Sequence, residues 1–216
     1  MQRRHFSAIA AASLGLGLGL GRTAAAQGGL PVEGRDYTRI QTPVPVEPPA
    51  GSVDVVEFFS YACPFCFRFE PKLEAWLKGK PAGIRFRRSP APFEQNFVNF
   101  QPMYFALDAM GLVDSLQQKV FNAVHLEHQR LDQPEAIAAF MAKNGVDATR
   151  FMAMFNSFGV RTRVQQANAL MANCGVDSIP TLVVQGQFRT SPALAKGDEK
   201  CLAVADYLIA VAHAGR

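Results

Sequence analysis

The chain has 216 residues, 49% hydrophobic and 19% charged, which fits a globular protein with a sizeable core and excludes a disordered or fibrous one. Its formal charge of +4 comes largely from the first 26 residues, which hold Arg3, Arg4 and Arg22 and no acid. Without those three, 19 basic residues face 18 acidic ones, which leaves no case for nucleic-acid binding. Four cysteines are too few for a disulfide scaffold, so the question is what each pair does.

Arg3 and Arg4 head an uncharged stretch over residues 6–20, and Ala24-Ala25-Ala26 follows as a small-residue cleavage site. This is the pattern of a secretory signal peptide over residues 1–26. The stretch falls short of the roughly 20 apolar residues that a membrane span needs. Arg3-Arg4-His5-Phe6 also fits a twin-arginine signal, so the export route stays open between Sec and twin-arginine. The mature chain is expected to start near Gln27 and to work in the periplasm, where disulfides persist.

Residues 28–49, with Pro43, Pro45, Pro48 and Pro49, predict an extended arm. The β-branched and aromatic run over 53–59 predicts a strand, buried apart from Asp54 and Glu57. A helix is expected over 63–78, with Pro64 in its first turn and a kink at Pro71. Residues 84–88 predict a second strand.

From 95 to 173 the pattern is helical. Met103, Leu107 and Met110 recur at helical spacing, as do Leu116, Val120 and Val124. Asp132, followed by Pro134 and Glu135, reads as an N-cap, with Gly145 as the stop. Phe151, Met154, Phe155 and Phe158 form a further stripe, and Leu170-Met171 lies on a helix ending near Gly175. These stripes predict core packing rather than a cofactor pocket. Residues 181–184 predict a strand, Gln185-Gly186 a tight turn, 187–190 its partner and 198–212 a final helix. The order gives a β-α-β start and a β-β-α end, split by a helical insertion. The α/β domain would comprise 27–94 and 174–216, and the inserted domain 95–173.

Cys63-Pro64-Phe65-Cys66 stands between a strand and a helix. Two intervening residues at a helix start bring the sulfurs within bonding range. The first cysteine meets the unpaired N–H groups and the positive end of the helix dipole, which favour a thiolate. A structural disulfide closing so short a loop would constrain almost nothing, so a reversible redox pair is expected, with Cys63 reactive and Cys66 more buried. A zinc site needs further ligands. His125-Leu126-Glu127-His128 is the only local histidine pair, lacks the HExxH pattern and reads as solvent-facing, so no metal is expected.

The stretch Val55-Val56-Glu57-Phe58-Phe59-Ser60-Tyr61-Ala62-Cys63-Pro64-Phe65-Cys66-Phe67-Arg68-Phe69-Glu70 resembles the active-site segment of the DsbA family. Val176-Asp177-Ser178-Ile179-Pro180-Thr181-Leu182-Val183-Val184 resembles that family's cis-proline loop and following strand. The resemblance covers nearly all of the mature chain. It implies a thioredoxin-like fold with an inserted all-helical domain, and a cis Ile179–Pro180 bond facing the two cysteines as a platform for extended substrates. It also implies a membrane partner of the DsbB type, linked to quinones, that reoxidises the protein. The exchange chemistry needs no cofactor. The substrates would be unfolded or reduced exported proteins, and a monomer is expected.

One departure concerns Phe65, where the best-known members carry histidine. Phe65 neither donates a hydrogen bond nor carries charge, so Pro64 and Phe65 should tune Cys63 to a less acidic thiol and a weaker oxidant. Glu57 stands where the family has an acid and is a candidate proton shuttle for Cys66, or else pairs with Arg85 or Arg87 on the next strand. For Cys174 and Cys201 the open choices are a structural disulfide worth roughly 3–4 kcal/mol, free buried thiols, or a regulatory redox pair. Rival functions on the same residues are a periplasmic isomerase or reductase, a kappa-type glutathione transferase, and a thiol chaperone or metal-binding module.

Overall fold

Strand β2 (Val53–Phe59) is the spine of the fold, and all seven of its residues are buried. In the computed structural model the described residues are 29–79, 83–92 and 98–215. The expected signal peptide and the expected start of the helical block at residue 95 lie outside them. Around β2 the sheet runs β1-β5-β4-β2-β3. Strand β3 (Ile84–Pro90) lies parallel to β2, and β4 (Thr181–Val184) antiparallel on its other side. Strand β5 (Phe188–Thr190) pairs antiparallel with β4, and the two-residue β1 (Thr38–Arg39) closes the edge.

Period-two alternation divides the core. Val53, Val55, Leu182 and Val184 face helices α1 (Pro64–Lys78) and α8 (Asp198–Ala214), where Phe69, Leu73 and Leu208 meet them. Val56, Phe58 and Val183 face the opposite way, into a cluster built with the helical block. That block comprises α2 (Phe100–Ala109), α3 (Val113–His125), α4 (Pro134–Lys143), α5 (Ala148–Phe155) and α6 (Phe158–Asn173), all between β3 and β4. No described helix is long and apolar enough to cross a membrane.

The two acids of β2 are buried, contrary to the expectation that they would be spared. Each is matched by arginine from β3, which is what makes a carboxylate tolerable inside a protein. Arg85 and Arg87 both go to Asp54, at 3.3 and 3.0 Å, while Glu57 takes Arg88 at 3.0 Å. The pairing of Glu57 with Arg85 or Arg87 is thereby corrected. In the parallel register Glu57 stands opposite Arg88, so the two side chains share one face, and Arg85 and Arg87 project from the other.

The expected elements appear within a few residues, with three further differences. Asp132 is not an N-cap. Pro134 occupies the first turn of α4 and forces its predecessor into the extended region, so Gln133 caps at φ −104° and ψ 134°. Asp132 turns instead to a bidentate contact with Arg130. Phe158 is 77% exposed. The helix break at Asn156 and Ser157 separates it from the Phe151 and Phe155 stripe, and Ser157 caps a new helix with its hydroxyl accepting from Val160 N–H at 3.2 Å. The third is the short helix α7 (Pro192–Ala195), which went unforeseen although Ser191 followed by Pro192 is a start signal; the Ser191 hydroxyl accepts from Leu194 N–H. At Pro71, helix α1 continues without a break.

Gln185 and Gly186 both have positive φ, at 54° and 61°, as the turn between β4 and β5 requires. The N-terminal arm crosses this turn, with Val44 N–H donating to Gly186 carbonyl at 2.9 Å. A Cβ on Gly186 would lie 2.1 Å from the Val44 carbonyl oxygen. Gly186→Ala should therefore cost about 2–3 kcal/mol of stability through backbone strain and overpacking. Urea denaturation measures it, with a lower midpoint and an unchanged slope as the expected result.

Candidate active site

Ser60, Tyr61, Ala62 and Cys63 form the turn that joins β2 to α1. Cys63 N–H donates to Ser60 carbonyl at 3.1 Å, and Ala62 N–H to the Ser60 hydroxyl at 3.2 Å. Cys63 is the N-cap of α1, extended at φ −82° and ψ 116°, with Pro64 in the first turn. Its sulfur therefore does what a serine hydroxyl does at other helix starts and accepts Cys66 N–H, at 3.3 Å. Cys63 is half-buried and Cys66 fully buried. The hydrogen bond from the Cys66 thiol, with backbone N–H groups of Cys66 and Phe65, holds Cys63 down to about 7 from an ordinary 9.0. Burial pushes Cys66 well above its ordinary value. The two thiols of one motif thus differ as nucleophiles because one lies at the end of the helix and the other inside the core.

The cis-proline loop meets this motif. The Ile179–Pro180 bond is cis, and Cys63 Sγ lies 3.7 Å from the Ile179 carbonyl oxygen. A groove of about 610 Å³ opens between them, with Phe65, Arg68, Pro192 and Asp198 on its walls. Phe65 is 57% exposed, and the Arg68 guanidinium lies 4.9 Å from its ring centroid. Arg68 was missed by sequence reasoning. Its spacing of three from Phe65 on a helix was the available signal.

Behind the motif, Glu57 lies fully buried. Its Oε2 accepts from Arg88, and its Oε1 finds no partner among the described residues. Arg88 also reaches Glu70 at 2.9 Å and Glu74 at 2.6 Å. Burial raises the Glu57 carboxyl, with Glu70 and Glu74 adding to it against the Arg88 charge. The Glu57 charge in turn contributes to raising Cys66.

Cys174 and Cys201 are not brought together. Both are unbridged and buried, Cys174 in the cluster facing the helical block and Cys201 in the cluster under α8. The sheet lies between these clusters, so of the three choices left open by the sequence the structure favours free buried thiols. Burial pushes them to about 11 and about 12. Of the histidines read as solvent-facing, His128 is exposed, but His125 is half-buried and stacks on Phe67. Among the described residues no group of three or more His, Cys, Asp or Glu side chains could hold a metal ion.

A β-α-β and a β-β-α half on one sheet make this a thioredoxin-type fold, and the unequal thiol pair at the start of its first helix makes it a thiol–disulfide oxidoreductase. The chain belongs to the DSBA-like thioredoxin family, whose model matches residues 54–204. It is 39% identical over 186 residues to the thiol:disulfide interchange protein DsbA of Burkholderia cepacia, covering 86% of this chain and 88% of that one. It is 38% identical to the Pseudomonas aeruginosa protein of the same name over 185 residues, covering 86% and 87%. The crystal structure of Pseudomonas aeruginosa DsbA superposes with a TM-score of 0.80 at 38% identity, covering 84% of this chain and 94% of that one. DsbA from Xylella fastidiosa gives 0.80 at 34%, covering 86% and 100%.

The depressed Cys63 thiol carries a stability consequence. Its folded value of about 7 lies below the ordinary 9.0, so the thiolate stabilises the reduced protein fully above about pH 9 and this contribution is lost as pH falls through about 7. The oxidised protein has no such titration. The stability of the reduced form relative to the oxidised form should therefore rise between pH 7 and 9 in parallel denaturation series. Thiolate absorbance of the reduced protein should titrate near 7.

Proposed function

We propose that the chain is exported to the periplasm and oxidises newly exported proteins by donating a Cys63–Cys66 disulfide. The observation that carries this reading is the Cys63 sulfur at the N-cap of α1, where N–H groups stabilise its thiolate and so stabilise the reduced enzyme. Oxidising power in a thiol–disulfide pair is the stability of its reduced form.

The reaction balances without a cofactor. A substrate thiolate attacks Cys63 Sγ, forming a mixed disulfide and breaking the Cys63–Cys66 bond. Cys66 leaves as a thiolate, and its buried site favours prompt protonation. Glu57, buried and raised, is the proton source within the protein, and Arg88 holds it in place. A second substrate thiolate then attacks the substrate sulfur, forming the product disulfide and releasing Cys63 as the thiolate. Two electrons have passed to the enzyme, and a quinone-linked membrane oxidase of the DsbB type would remove them. The cis-proline loop serves as the platform on which an extended substrate chain lies beside Cys63. Exposed Phe65 gives that platform an apolar wall, and Arg68 supplies positive charge at a position where Phe65 supplies none.

Complementation of a strain lacking its periplasmic oxidase tests this reading, together with the redox equilibrium against glutathione. Cys63→Ser should abolish rescue, and Cys66→Ser should accumulate mixed disulfides through Cys63. A potential near thioredoxin's, about −270 mV, would place the protein with the reductases instead. Two single changes probe the tuning. Phe65→His should make the enzyme more oxidising. Glu57→Gln should slow exchange about 10- to 100-fold near neutral pH, within the range of a lost acid–base group, while leaving the thiolate titration of Cys63 in place. Stopped-flow reduction of each oxidised variant by a cysteine peptide gives the rates.

A further inference from the structure

One face of α3 grips both flanks of the Cys63–Cys66 motif. Gln117, Phe121 and His125 are spaced four apart and lie one above another on that helix. Gln117 Oε1 accepts the Tyr61 hydroxyl at 2.5 Å. The Phe121 ring packs edge-on against Tyr61, with centroids 5.1 Å apart. His125 Nε2 lies 2.8 Å from the Tyr61 carbonyl oxygen, and its ring stacks on Phe67 at 4.9 Å with 15° between planes. Tyr61 stands two residues before Cys63, and Phe67 directly follows Cys66.

The chemistry of the His125 contact has one assignment. A carbonyl only accepts, so Nε2 carries the hydrogen and donates. Burial lowers the His125 pKa, which favours the neutral ring. The turn from Ser60 to Cys63 is closed on itself by the Ser60 carbonyl and hydroxyl. The Tyr61 carbonyl leaves that turn and is held from the inserted helical block. With the Tyr61 hydroxyl held by Gln117, the residue is fixed at its backbone and at its ring tip.

We infer that His125 is a positioning residue for disulfide exchange: by donating to the Tyr61 carbonyl while stacked on Phe67, it fixes the turn that aims Cys63 Sγ at the first N–H groups of α1. This rests on the reading of Cys63 as the exchanging thiol. Without the donor the turn loosens, the N–H contacts to the Cys63 thiolate weaken, and the reduced enzyme loses stability relative to the oxidised one.

The test separates the donor from the stack. His125→Phe keeps an aromatic ring against Phe67 and removes the donor. His125→Gln removes the ring and keeps an amide N–H within reach of the carbonyl. The equilibrium constant against glutathione and the Cys63 thiolate titration are measured for wild type and both variants, with far-ultraviolet circular dichroism to check folding. His125→Phe should shift the equilibrium roughly fivefold towards the oxidised enzyme, the size of one neutral hydrogen bond. It should also raise the midpoint of the thiolate titration, and His125→Gln should restore both. An unchanged equilibrium in His125→Phe overturns the inference, as does an equal shift in the two folded variants. Should His125→Phe not fold, His125→Leu serves as the donorless variant on the same criteria. The wild-type constant tests the oxidant reading, and the ratio of variant to wild type tests His125, so the two failures are told apart.

Discussion

Everything distinctive about this site follows from a sulfur placed where a helix needs an acceptor. The first N–H groups of any α-helix lack partners, and here a cysteine side chain supplies one, Sγ accepting Cys66 N–H at 3.3 Å. The contact is favourable for a thiol and more favourable for a thiolate, so the hydrogen bond from the Cys66 thiol, joined by the backbone N–H groups that the cap presents, holds Cys63 down to about 7. Cys66, one turn further in, meets the opposite conditions in the core. A two-residue spacing thereby turns two chemically identical groups into a half-buried nucleophile and a fully buried partner.

The surroundings keep that geometry fixed. Strand β2 delivers the chain to the turn from inside the sheet, and its buried acids hold β3 in register through arginine. The Glu57–Arg88–Glu70–Glu74 cluster links β2, β3 and α1 beneath the motif. One arginine serves three carboxylates, and Glu57 keeps an oxygen without a partner among the described residues. Such a cluster favours holding at least one proton, because full ionisation would leave excess negative charge out of water. From the other side of the sheet, α3 holds the turn through Tyr61. The inserted helical block is therefore part of the active-site scaffold as well as a wall.

Much of this was legible in the sequence. The C-x-x-C between an apolar strand and a helix needed only local patterning, as did the paired strands around Gln185-Gly186. Properties that depend on register across the sheet were less accessible. Which arginine meets Glu57 is decided by the parallel alignment of β2 with β3, and adjacent arginines on one strand look alike until their faces are known. The separation of Cys174 from Cys201 has the same origin, since sequence distance says nothing about which side of a sheet each residue occupies. His125 was misread because its neighbours Leu126 and His128 are exposed, while its own ring turns back onto Phe67. Asp132 was misread because the constraint of Pro134 on the preceding residue outweighs the general preference of aspartate for a cap.

Cys174 and Cys201 give the molecule a property that its chemistry alone would not suggest. An oxidising protein with oxidisable thiols of its own is open to oxidation by other copies of itself. Here both thiols lie within packed cores and are raised to about 11 and about 12, which leaves almost no thiolate at neutral pH. Their silence is conditional on packing, so each cysteine becomes reactive only when its own half of the core opens. With one on each side of the sheet, the chain carries two native reporters: labelling at Cys174 times the parting of the helical block, and labelling at Cys201 times the release of the C-terminal helix.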